Sequence, residues 1–243
     1  MVKKLQQKSL SKNEMKNKRV LIVAAHPDDE VLGCGGTMAM LFSQGAVLRT
    51  LILARGIESR GADKHFNNKK INALYSACEK ANKILGVTKV SFGNFPDNQM
   101  DSVPLLDVTQ RIESEIQEFK PDIIYSHGGG DVNIDHFITH RAVITATRPI
   151  PGMKVKQVFF FEVNSSTEWG QMTPQMHFLP NVYSDISLSF DKKIAALECY
   201  NSEMRQWPHP RSIEGVTALA RYRGSNVGVD YAEAFSLGRW LQF

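Results

Sequence analysis

Cysteine is scarce in this chain of 243 residues: Cys34, Cys78 and Cys199, three in all. They are scattered, odd in number and never spaced as CxxC, which excludes a zinc-finger scaffold and a disulfide framework. A reducing cytoplasm is the compartment this usage predicts. No apolar run approaches the length needed to cross a bilayer, so no membrane partner is expected. Net charge is also low, at +4. Much of it sits in "MVKKLQQKSLSKNEMKNKR", which lacks the apolar stretch of a secretory signal and the arginines and aromatics of a nucleic-acid arm. Residues 1–18 are therefore expected to form a polar basic tail, and no nucleic-acid partner is expected. Internal repeats and low-complexity tracts are missing as well.

What is present is an alternation of strand and helix patterns. "RVLIVAA" reads as a strand buried on both faces. "EVLGCGGTMAMLFSQG" reads as a helix closed by Gly45, and "VLRTLILA" as a second strand. Helical spacing follows from His65 to Gly86, then a short strand "KVSF", a helix from Val103 to Phe119, a fourth strand "DIIYSH", and a helix through "HFITHRAVITATR". This rhythm predicts a Rossmann-like three-layer α/β/α fold with a mostly parallel sheet. Beyond Pro151 the rhythm changes. "QVFFFEV" is a strong strand and "NVYSDI" a weaker one, "DKKIAALECYNSEM" is a helix with Asp191 as N-cap, and a short helix lies near Ala218. "YAEAF" is mixed. Residues 19–243 read as a single domain with a C-terminal elaboration.

In such sheets ligands sit beyond the carboxyl ends of the strands, where strand order reverses. The first and fourth strands flank that point, and each is followed at once by polar chemistry. After the first comes "HPDDE", with His26, Asp28, Asp29 and Glu30. After the fourth comes "GGGDVNIDH", with Asp131, Asn133, Asp135 and His136. Two imidazoles and one carboxylate, His26, His136 and Asp29, suit one divalent metal, zinc first and iron as an alternative. Asp28 is then left to take a proton from an attacking water. Taken alone, the first cluster is equally a capped turn, with Asp29 or Glu30 accepting from the first helical N–H groups. Gly33, Gly35 and Gly36 do not spell GxGxxG, so they point to close helix packing rather than a dinucleotide cradle.

"AHPDDEVLGCGG" together with "DVNIDH" resembles the PIG-L/LmbE family of metal-dependent N-deacetylases, and "FPDNQMD", "FEVNSSTEW", "HPRS" and "AEAF" are similar to one bacterial branch of it. The resemblance implies a zinc-dependent enzyme that removes acetyl groups from N-acetylglucosamine-type sugars, with a small N-acetylated sugar as its partner. It implies His26, Asp29 and His136 as ligands of one divalent metal, most readily Zn2+, with Asp28 as general base. Many members carry a histidine three residues before the second histidine ligand; this chain has Asn133, which donates a hydrogen bond but delivers no proton at neutral pH. The acid role then falls to Asp28 or to another histidine, with His127, His140 and His209 as candidates. Asp135 and His127 are expected behind the ligands, and Arg60, Arg148 and Arg211 are candidate substrate contacts. An anionic sugar would be favoured if two of these arginines converge. Self-association into a homo-oligomer is left open. Two rival readings share the cluster: a metal-dependent phosphoesterase, which would need more ligands and two ions, and a sugar-binding module without turnover.

Overall fold

The computed structural model describes residues 15–56, 64–170 and 177–242. Seven strands form one sheet in the order β3-β2-β1-β4-β5-β7-β6. The five parallel strands are β1 (Arg19–Ala24), β2 (Val47–Ala54), β3 (Val87–Phe95), β4 (Ile123–His127) and β5 (Gln157–Phe161). β6 (Val182–Asp185) and β7 (Ala232–Trp240) extend the sheet antiparallel, β7 pairing with both β5 and β6. The mixed segment "YAEAF" is thus the start of a nine-residue strand. Its outer half is exposed and interrupted by Gly238, so no alternation marked it.

Because β1 is covered on both sides, its alternate residues enter two different cores. Val20, Ile22 and Ala24 pack with Leu48 and Ile52 beneath α1 (Asp29–Ser43), α2 (Lys64–Ile84) and α5 (Phe190–Glu198). Leu21 and Val23 pack with Leu51 and Leu53 beneath α3 (Leu105–Phe119) and α4 (Ile134–Ala146). α6 (Ile213–Ser225) is longer than the short helix expected near Ala218. The residue preceding α5 is Ser189, not Asp191, which lies inside the first turn. The Ser189 hydroxyl donates to the Gly36 and Ile186 carbonyls, so it ties the start of α5 to α1 rather than capping its own helix.

α1 is not one smooth helix. Cys34 has φ −147, ψ 21, which breaks the hydrogen-bond ladder there. The freed groups are met by a buried ion pair from distant segments. Glu233 of β7 accepts from the Gly36 and Thr37 N–H groups at 2.9 and 2.7 Å, and Lys193 of α5 donates to the Leu32 carbonyl at 2.8 Å. Lys193 and Glu233 themselves meet at 2.6 Å, each almost wholly buried. Side chains at two glycines would not fit: a Cβ on Gly36 would stand 2.7 Å from Ile186, and one on Gly33 would overlap the Phe161 ring. Lys193→Met should lower unfolding free energy by about 3–5 kcal/mol, because Glu233 is then left as an uncompensated buried charge. Urea denaturation of the variant beside the parent measures it, and a shift below about 1 kcal/mol, within the range of an exposed pair, would contradict it.

Candidate metal centre and active-site cleft

β1 and β4 are neighbours, so their carboxyl ends deliver the two polar loops to one place. The cleft there has a volume of about 330 Å³, and its lining includes His26, Asp28, Asp29, Asp97, Asn133 and His136. That volume falls within the range of small-molecule sites.

His26 Nδ1 lies 3.2 Å and His136 Nε2 3.1 Å from the same oxygen, Asp29 Oδ2. One ligand atom from each residue falls within 4.8 Å of the other two. The far nitrogen of each imidazole meets a carboxylate. His26 Nε2 is 3.0 Å from Asp135 and 3.3 Å from Asp97, and His136 Nδ1 is 3.0 Å from Asp131. This is the outer arrangement that fixes a ligating histidine's tautomer and raises its basicity. The acids are themselves held. Asp135 accepts from the Asn98 and Met100 N–H groups at 2.7 and 2.9 Å. Asp131 accepts from the Asn133 N–H and the Ser166 and Thr167 hydroxyls. Burial disfavours a charged His136, yet Asp29 and Asp131 raise its pKa to about 9. Burial likewise opposes the charge of Asp29, and the facing imidazoles hold its pKa well below the usual range. A buried acid that gathers two imidazoles around one oxygen marks a position where a divalent cation would replace protons. The donor set therefore fits a metal.

Asp28 sits in the same cleft facing another way. Its backbone has φ +107 and ψ −30, a conformation rarely adopted by a residue with a side chain, and one that costs of the order of 1–3 kcal/mol. Its carboxylate takes a hydrogen bond of 2.9 Å from Arg211 Nη1. Burial raises the Asp28 pKa to about 7, Arg211 pulling it down and Asp29 pushing it up. Arg211 also donates from Nε to the Ser165 hydroxyl at 3.1 Å and lies 4.0 Å from Glu203.

Asn133 is the N-cap of α4. Its Oδ1 accepts from the Asp135 N–H and its Nδ2 donates to Asn98 Oδ1, both at 2.9 Å. Asn133 lines the cleft, and an amide carries two N–H groups, of which the contact with Asn98 uses one.

Other sequence candidates are placed elsewhere. His127 is fully buried, stacked on the His136 ring at 4.0 Å. Its Nε2 accepts from the Ala25 N–H at 2.9 Å and lies 3.6 Å from Asp29 Oδ2, and burial pushes its pKa well below the usual value. Asp135 serves His26; the acid that holds His136 is Asp131, which the sequence reading placed in the loop without a role. His140 meets the His127 carbonyl at 2.9 Å and does not line the cleft. Nor does His209, whose Nδ1 accepts from the Arg211 N–H and whose ring stands edge-on to Trp169 at 5.8 Å. Arg148 is on the surface beside Glu113, 3.5 Å away. Arg60 lies outside the described residues. Of the three arginines, Arg211 alone is seen in the cleft, and Asp28 engages it, so convergence of two arginines on an anionic group is not observed among the described residues.

Residues 21–147, just over half of the chain, match the PIG-L family, described as GlcNAc-PI de-N-acetylase. The chain belongs to this family. It is 28% identical over 196 residues to a probable N-acetyl-alpha-D-glucosaminyl L-malate deacetylase 2 of Bacillus cereus, covering 76% of this chain and 84% of that one. It is 26% identical over 244 residues to the 4-oxalmesaconate hydratase of Pseudomonas putida, covering 93% of this chain and 88% of that one. Among solved structures, the conserved protein TT1542 of Thermus thermophilus superposes with a TM-score of 0.72 at 27% identity, over 92% of this chain and 96% of that one. The mostly parallel α/β fold of this PIG-L chain is thus shared with a solved structure along nearly its whole length. No helix among the described residues is long and apolar enough to cross a membrane.

Proposed function

We propose that this PIG-L chain is a hydrolase that removes the acetyl group from a small N-acetylated amino sugar or sugar derivative, using one divalent cation. The observation that carries the reading is the division of labour between adjacent acids. Asp29 stands with His26 and His136 around a single point, while Asp28 faces Arg211 in the same cleft. His26, Asp29 and His136 would hold the cation, and two imidazoles with one carboxylate favour zinc. When bound, the cation supplies Lewis acidity, polarising the acetamide carbonyl and lowering the pKa of a water.

Asp28 takes the proton from the water that attacks the acetyl carbon. A carboxyl group poised near 7 is matched to that task and to the reverse one, since the same proton can then pass to the departing nitrogen. This removes the need for a histidine in the place of Asn133. The unengaged N–H of Asn133 is the donor toward the developing oxyanion, a contact worth roughly 3–4 kcal/mol in well-formed cases. Asp131 and Asp135 keep His136 and His26 in the tautomers that face Asp29. Trp169, half exposed at the cleft, offers an apolar face to a sugar ring.

Incubation with a panel of N-acetylated sugars and their conjugates tests the reading, amines being detected with fluorescamine and acetate by an enzyme-coupled assay. Equimolar acetate and amine should appear, disappear with chelator and return with zinc. A panel that yields no chelator-sensitive product overturns it.

The Pseudomonas relative favours a second reading, hydration of an unsaturated acid, because its match spans nearly the whole chain. The same base and cation would serve water addition. Against it, Arg211, the one arginine among the described residues lining the cleft, is already engaged by Asp28. A hydratase would consume a conjugated double bond and release no acetate.

A further inference from the structure

We propose that Glu30 is the positioning residue for Asp28: its carboxylate fixes the backbone turn that parts Asp28 from Asp29. The inference rests on Asp28 as the proton-transferring acid.

Consecutive acids at a helix start would ordinarily crowd the same opening. Here the positive φ of Asp28 turns its side chain to Arg211 while Asp29 faces the imidazoles. The same turn directs the Asp28 N–H inward, where Glu30 Oε2 accepts it at 3.0 Å. Glu30 is fully buried and does not line the cleft. Its other oxygen accepts from the Tyr200 hydroxyl at 2.6 Å and from Asn82 Nδ2 at 2.9 Å, with the Cys78 thiol at 3.9 Å. Asn82 is oriented in turn by the Thr50 hydroxyl of β2, which donates to its Oδ1 at 2.7 Å. The carboxylate is thereby clamped from β2, α2 and the segment after α5.

Every group around Glu30 is a donor toward it, so the position calls for a side chain that accepts at both ends. Glutamine has the same shape but carries two donors on one end. Placed here it must set N–H against N–H, either at Asp28 or at Asn82. A helix-start acid needed only for its charge would not care about this polarity. Exchanging the amide and carboxylate across the 2.9 Å contact, in Glu30→Gln with Asn82→Asp, restores a complementary pair with the new acid protonated toward the Cys78 carbonyl, to which Asn82 Nδ2 also donates at 2.9 Å, and leaves an acceptor for the Asp28 N–H.

The test compares Glu30→Gln, the double variant and the parent, with zinc bound. Glu30→Gln should lower kcat by about 100-fold, the cost of misplacing a reacting group by roughly an ångström, with KM and zinc content held. The double variant should recover most of the loss. Crystal structures give a readout independent of turnover: the Asp28 φ and its contact with Arg211 should change in the single variant and return in the double. If Glu30→Gln does not fold, the double variant decides alone: a retained positive φ with near-parental kcat supports the proposal. Unchanged kcat in a folded Glu30→Gln overturns it, as does a folded double variant that keeps the parental Asp28 geometry but not its rate. A parent that releases no acetate from any compound removes the deacetylase reading, while the crystallographic comparison still judges the role of Glu30.

Discussion

Asp28→Asn is expected to lower turnover by about 10²- to 10⁴-fold, the contribution of a positioned acid–base group, while the protein keeps its fold and its cation. The substitution is isosteric, and an asparagine oxygen can still accept from Arg211. Asparagine also tolerates positive φ better than most residues, so the strained turn is not made worse. None of the three ligand atoms belongs to Asp28. What disappears is the capacity to take and return a proton. Initial rates of acetate release, measured beside zinc content by mass spectrometry, separate the two functions. Loss of zinc together with activity would mean that Asp28 helps hold the cation; parental turnover would mean that the base lies elsewhere. A sugar-binding module predicts a third pattern, in which parent and variant bind sugar alike and neither releases acetate.

The parts of this molecule written most plainly in its sequence are those governed by local periodicity and turn chemistry. Apolar runs marked β1, β2, β4 and β5 because a strand covered on both faces has no polar register to keep. Their order sets β1 beside β4, and it brought His26 and His136 together from loops far apart in the chain. The kink in α1 was only half legible: Gly33, Gly35 and Gly36 loosen the helix around Cys34, but the groups that meet the broken ladder, Lys193 and Glu233, arrive from far along the chain. Pairings inside the site were hidden for the same reason. Asp135, expected behind the ligands, is adjacent in sequence to His136. Helix geometry instead sends Asp135 to His26 and leaves His136 to Asp131 in the preceding loop. The arginines show the limit of composition: Arg148 and Arg211 are chemically identical, and only tertiary placement puts one on the surface and the other against Asp28.

His136→Ala should abolish stoichiometric zinc binding and with it detectable turnover, whereas Asp131→Asn should weaken zinc affinity only about 10- to 100-fold. The contrast follows from position. His136 faces Asp29 directly at 3.1 Å, so its removal leaves two donors, too few for a catalytic zinc site. Asp131 acts through His136 Nδ1 at 3.0 Å with one carboxylate oxygen and accepts from the Asn133 N–H with the other, so asparagine there keeps one acceptor, which can face the ring only if the loop N–H loses its partner. The Asp131 pKa is lowered, burial opposing and His136 favouring the charged form, so the native pair places an anion behind the ligand and raises its basicity. Neutralising that anion weakens the imidazole as a donor without removing it. Competition against a zinc-chelating dye gives both affinities on one scale, and Arg148→Ala, altered at the surface beside Glu113, supplies the unperturbed reference. Equal losses in Asp131→Asn and His136→Ala would mean that the loop collapses when either partner is changed. Parental zinc affinity in His136→Ala would move the cation off His26, Asp29 and His136 altogether, toward the neighbouring set of His26, Asp97 and Asp135.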